Sequence, residues 1–185
     1  MSALGAALRP RAAQWSFEEN SSMSDPPRPL EHGAQSSDES RAAAARLYAQ
    51  GRVLAKQGLW SEAEATFFQS AGLAPDASLT WLSAAIACFQ QGRFTQAATA
   101  IEWALHAIPI RATTESEKGV KSFEADDWGG VESAFQALLE KGPPEAPTHL
   151  FLSIALIRLE RYDEAWDQLR AGYELELRGA ESVID

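Results

Sequence analysis

One short pattern returns at a constant interval and restricts what this chain can become. Trp60, Phe94, Trp128 and Tyr162 share one even spacing, and Ala63, Ala97, Val131 and Ala165 share the same one. An aromatic residue, two spacers and a small residue, recurring about every 34 residues, mark an array of helical hairpins. The first copy, Lys56 to Ala63, carries a glycine at Gly58 before its aromatic, and the second carries Gly92. The third is degraded, with Asp126 in the glycine position and Gly129-Gly130 after the aromatic.

Around these markers the apolar residues follow a helical period. In the first unit Ala44, Leu47, Leu54 and Ala55 form one stripe, on a helix predicted to run from about Ser40 to Gln57 and to stop at Gly58. Ser61 is the expected N-cap of the next helix, with Glu62 and Glu64 in its first turn. Ala63, Phe67, Ala71 and Leu73 are its expected inner face, and Pro75 closes the unit. The second unit runs from Asp76 to Pro109, with Trp81, Ala84, Ala85 and Cys88 facing Ala97, Ile101, Ala104 and Leu105 and with Thr95 as the expected cap. The third, Ile110 to Pro143, has a polar first helix in which only Val120 and Phe123 are large and apolar. Thr114–Glu124 is therefore the expected least stable helix. The fourth follows the proline-rich connector 142–147 and regains the pattern with Leu152, Ile154, Ala155, Leu156 and Leu159 against Ala165, Leu169 and Gly172.

Small residues at Ala63, Ala97 and Ala165 let two antiparallel helices approach closely. Neither face of one hairpin can be buried alone, so hairpins stack. The spacing predicts an all-α fold of about four hairpins over residues 41–177, divided near 42–75, 76–109, 110–143 and 144–177. Residues 1–40 lack an apolar period, contain Pro26, Pro27 and Pro29, and read as a disordered tail. Residues 178–185 read as a short acidic tail.

The residues resemble the tetratricopeptide repeat family. The second unit matches its pattern through Trp81, Ala85, Gly92, Phe94, Ala97, Ala104 and Pro109. The first matches through Leu47, Gly51, Gly58, Trp60, Ala63, Phe67 and Pro75. The fourth keeps Leu152, Tyr162, Ala165 and Leu169, and the third keeps Gly119, Trp128, Phe135 and Pro143. The resemblance implies a right-handed superhelical solenoid whose first helices line a concave groove that binds peptides or helices of other proteins. It is similar to the acidic repeat chaperones of bacterial secretion systems in size and charge, which makes a client-holding chaperone the alternative reading to an adaptor.

Projected onto this chain, the groove lining is Tyr48, Arg52, Leu82, Ile86, Phe89, Val120, Phe123, Leu150, Ile154 and Ile157. Most are large and apolar, which suits an apolar segment or an amphipathic helix of a partner. The competing reading makes Ile86, Phe89 and Ile154 ordinary core, or has the chain's own tail cover them. The family's clamp for acidic chaperone tails has no match, because the corresponding places hold Tyr48, Arg52, Ser83, Thr113 and Glu117. Trp166 and Tyr173, two turns apart on the final helix, form a second candidate surface for a homodimer or partner contact, the alternatives being a fold-back of Val183-Ile184 over it or simple partial exposure.

Charge and composition narrow the partners. The net charge is −10 and no basic stripe is visible, which argues against nucleic acid and anionic membrane as primary partners. No apolar run is long enough to span a bilayer. Cys88 is the one cysteine, within an apolar run, and reads as a buried thiol in a reducing, cytoplasmic setting. Arg9 and Arg11, with no acid before Glu18, leave an organelle transit peptide as an alternative to a plain disordered tail, and a true start at Met23 is a third reading. No catalytic motif, cofactor loop or metal spacing is present: His32, His106 and His149 lie far apart, and Gly129-Gly130 is not followed by the lysine of a phosphate loop. The expected function is non-catalytic protein–protein interaction without a cofactor.

Overall fold

The computed structural model describes residues 38–182. The tail, transit-peptide and start-site readings for the first 37 residues, and residues 183–185, lie outside the described residues. Eight α-helices follow one another within the described residues: α1 (Asp38–Lys56), α2 (Trp60–Leu73), α3 (Ser78–Gln90), α4 (Phe94–Ala107), α5 (Thr114–Glu124), α6 (Trp128–Lys141), α7 (Ala146–Arg158) and α8 (Tyr162–Ser182). The fold is all-α, built from successive helical hairpins. The predicted acidic tail is corrected: α8 continues to Ser182. The chain divides into two compact units at Ala100/Ile101, inside α4.

The hairpin turns share one backbone solution. Gly58 (φ 77°), Gly92 (φ 73°), Asp126 (φ 55°) and Glu160 (φ 59°) all take the left-handed conformation. In each turn that residue's amide donates to the carbonyl three back, and the next amide donates to the carbonyl five back. Gly58 bonds Ala55 and Leu59 bonds Leu54; Glu160 bonds Ile157 and Arg161 bonds Leu156. This closure satisfies the last carbonyls of the first helix. It also fixes the start of the second, so α2, α4, α6 and α8 each begin on the aromatic marker. Ser61 and Thr95 consequently fall inside the first turn and are not N-caps; Leu59 holds that position for α2 without a side-chain bond.

Glycine is suited to this turn, and a side chain costs energy there. Glu160→Gly should therefore raise stability by about 1 kcal/mol, or roughly 2–4 °C in Tm. A calorimetric Tm equal to or below that of the wild type would contradict the assigned turn strain.

The degraded third hairpin has local compensation. Thr113 and Ser116 form a capping box at the start of α5. Asp127 caps α6, its carboxylate accepting from the Gly130 amide at 3.0 Å. The double glycine thus follows a cap, which offsets its poor helix propensity.

Each unit has its own core. In the first, Ala63 and Phe67 of α2 pack with Ala84 and Ala87 of α3, with Tyr48, Leu54, Trp60 and Phe68 around them. In the second, Val131 and Phe135 of α6 pack with Phe151, Leu152 and Ala155 of α7. The Phe135 and Phe151 rings stack at 4.6 Å, and Phe123 meets Phe151 edge-on at 5.2 Å. Leu73 and Leu159, expected on inner faces, are exposed: Leu73 is the last residue of α2 and Leu159 the C-cap of α7, where the stripe no longer meets a partner.

A longer period lies above the hairpin. Gly51 and Gly119, Glu64 and Glu132, Phe67 and Phe135, and Arg93 and Arg161 are pairs two repeats apart. Gly51 sits under the Phe67 ring, and a Cβ there would lie 2.6 Å from a ring carbon; Gly119 is placed the same way under Phe135. Glu64 pairs with Arg93, and Glu132 with Arg161. A single repeat on from Glu64 and Arg93, the same two positions hold Ala98 and Asp127, which make no such pair of charges.

Candidate functional site

In the first unit the expected groove residues come from α1 and α3. Tyr48 is half-buried, its ring 5.9 Å from that of Phe67, and the Arg52 guanidinium lies over Tyr48 at 5.9 Å. Leu82, Ile86 and Phe89 are buried, and Phe89 meets Phe94 edge-on at 4.9 Å. In the second unit Val120 and Phe123 of α5 are half-buried against the α6–α7 core. Leu150, Ile154 and Ile157 of α7 are buried. The expectation of an open apolar lining is corrected to that extent: Leu82, Ile86, Phe89, Leu150, Ile154 and Ile157 are interior residues, and Arg52 alone of the projected lining is exposed.

The physical reason lies in α3 and α7 themselves. Thr80 to Phe89 are buried without interruption, as are Leu150 to Ile157. A helix apolar all round is covered all round. The side of α3 that carries Leu82, Ile86 and Phe89 is thus as enclosed as the side that packs on α2.

The Trp166–Tyr173 surface is also corrected. Both are buried, at 5% and 7% exposure. Each directly follows a residue of the α8 stripe formed by Ala165, Leu169 and Gly172. Together they make a stripe at i, i+1, i+4, i+7 and i+8, the usual width of a core-facing helix surface. Gly172 itself is pressed on α7, since a Cβ there would be 2.7 Å from Leu150.

One buried electrostatic feature was missed in the sequence. The buried Glu64 carboxylate accepts from the Arg93 guanidinium and from Gln91 Nε2, the latter at 2.6 Å. Burial raises the Glu64 pKa above the usual carboxylate range, while Arg93 and Gln91 pull it down. Cys88 beside it is buried, and burial pushes its thiol up, with the Glu64 charge adding to the effect. This is the reverse of an activated nucleophile.

A raised folded-state pKa means that the fold binds the Glu64 proton more tightly than the unfolded chain does. The stabilising contribution is full below the unfolded pKa and is lost as pH rises through the folded one. Glu64→Gln should therefore match or exceed wild-type stability at pH 7, by up to about 1 kcal/mol, with Arg93 still held by Gln91 at 3.0 Å. That advantage should shrink on acidification. Urea titrations at several pH values check this; a variant deficit at pH 7 would show that the ion pair outweighs the burial.

His106 and His149 are each held by a hydrogen bond. His106 Nδ1 lies 2.8 Å from the Glu102 carbonyl and His149 Nδ1 lies 2.8 Å from Gln168 Oε1. No group of three or more metal-ligating side chains occurs among the described residues. No helix among them is long and apolar enough to cross a membrane.

No protein-family model matches the chain. No curated protein matches it in sequence. Among solved structures it is similar to one described as the crystal structure of MamA, with 16% identity, over 75% of this chain and 81% of that one, at a TM-score of 0.41.

Proposed function

We propose that this chain is a non-catalytic protein-docking module, in which, within each unit, a partner segment packs on the first helices of its hairpins. The observation that carries the reading is the surface left open on α1 and α5. Leu82, Ile86, Phe89, Leu150, Ile154 and Ile157 are already enclosed by the chain itself. Tyr48 and Arg52 on α1, and Val120 and Phe123 on α5, retain exposure and are the accessible points of approach. Aromatic and aliphatic side chains that keep exposure on a first helix suit an apolar or amphipathic segment of a partner.

Site-specific photocrosslinking tests the proposal. A photoreactive residue at position 48 or 120 should capture a partner protein, whereas one at Ala65, exposed on α2, should not. Equal capture at all three positions, or none at 48 and 120, would remove the first-helix side as the docking surface. The adaptor reading also requires that the captured partner remain soluble without this chain; a partner that precipitates in its absence favours a client-holding chaperone.

A further inference from the structure

The outer side of α1 is a second surface, of different chemistry. Arg46, Ala49, Gln50 and Val53 correspond, one repeat on, to Thr80, Ser83, Ala84 and Ala87 of α3. In α3 all four are buried, and Ala84 and Ala87 pack with Ala63 and Phe67 of α2. In α1 all four are exposed, and Val53, at 54%, is the most exposed large apolar residue among the described ones. The first helix thus presents the face on which, one repeat later, the second helix of a preceding hairpin sits.

Its charge is unlike that of the other helices. Arg46, Arg52 and Lys56 are exposed on or beside this face. Among the described residues Arg46 bonds the Ala42 carbonyl of its own helix, at 3.3 Å, and Arg52 faces the Tyr48 ring. Every other arginine among the described residues has a carboxylate within 3.7 Å. A chain of net charge −10 has acids to spare, yet none of those among the described residues pairs with these cations. The helix that fills the equivalent place on α3 is α2, which carries Glu62 and Glu64 and no lysine or arginine. Ala49, Gln50 and Val53, with Arg46 among them and Lys56 at one edge, complement an acidic helix with a narrow apolar stripe.

We propose that the outer face of α1 docks an acidic amphipathic helix of a partner protein, seated as the second helix of a preceding hairpin would be. Arg52 borders both surfaces, but Arg46, Val53 and Lys56, which the variants below change, belong to the outer face alone, so either proposal can fail alone.

The probe is a helix-forming peptide with an alanine–leucine stripe flanked by glutamates, titrated into the full chain while backbone amide shifts are followed by NMR. Its lysine-for-glutamate counterpart and phosphatidylserine-containing vesicles are the comparisons. The acidic peptide should shift amides of α1 around Arg46–Lys56 and bind more weakly as salt is raised. The double variant Arg46→Glu/Lys56→Glu, in exposed positions, should weaken it by about tenfold or more. Val53→Asp should do the same with the cations left in place. The proposal is overturned if the acidic peptide does not bind, if the lysine peptide binds equally, if the shifts fall away from α1, or if only the vesicles bind.

Discussion

Gly119→Ala should destabilise the second unit by about 2 kcal/mol, although alanine is the better helix former. In an open helix the exchange gains up to about 1 kcal/mol. Here the added Cβ would lie within 2.9 Å of three Phe135 ring carbons. Phe135 is fully buried and stacked on Phe151 at 4.6 Å, so its ring has no free direction in which to yield. Overpacking of this kind typically costs about 1–3 kcal/mol, on the order of twice the helix-propensity gain. The same places one repeat away hold Ala85 and Ile101, or Ser153 and Leu169, which indicates the remedy. Gly119→Ala with Phe135→Leu should recover part of the loss, in a double-mutant cycle with a coupling energy above about 0.5 kcal/mol. Additive effects in urea denaturation would mean that the glycine is not there to receive the ring. Gly51 under Phe67 should respond in the same sense.

Trp81→Ala should cost more, about 4 kcal/mol. The indole is wholly buried and its N–H donates to the Pro75 carbonyl at 3.0 Å. Its ring meets Phe68 edge-on at 6.1 Å, tying α3 to α2. Removing it leaves a cavity in the first unit and an unsatisfied carbonyl where one hairpin ends and the next begins. Trp81→Phe separates the two contributions. It retains much of the packing but loses the donor, and should cost about 2 kcal/mol. Hydrogen exchange should show the loss of protection in α2 and α3. A Trp81→Ala cost below about 1 kcal/mol would mean that the site collapses without the usual cavity penalty.

How much could be read from the sequence depended on whether a contact is local. The hairpins were legible because each turn is made by adjacent residues and its aromatic marker repeats at a fixed interval. Face assignment was legible in α1, and in α8 for Ala165, Leu169 and Gly172, where polar and apolar residues alternate at helical period. It failed in α3 and α7. A run such as Trp81 to Phe89 has no polar side, so periodicity cannot tell core from lining. Trp166 and Tyr173 were misplaced for a related reason: a core stripe is wider than the two positions needed to define it. The Glu64–Arg93 pair joins residues 29 apart through a turn whose geometry periodicity does not describe. Its recurrence as Glu132 and Arg161 was a detectable signal at twice the hairpin period.

That doubled period has a consequence for how the chain can be cut and rejoined. Removing residues 76–109, one hairpin, would bring the sequence position of Asp127 into the register now held by Arg93, setting a carboxylate against Glu64. Removing two hairpins, from 76 to 143, would instead bring Arg161 into that register and keep an opposite charge facing Glu64. The hairpin is the geometric period of this chain, but the block that can be transplanted with its charges matched is two hairpins long.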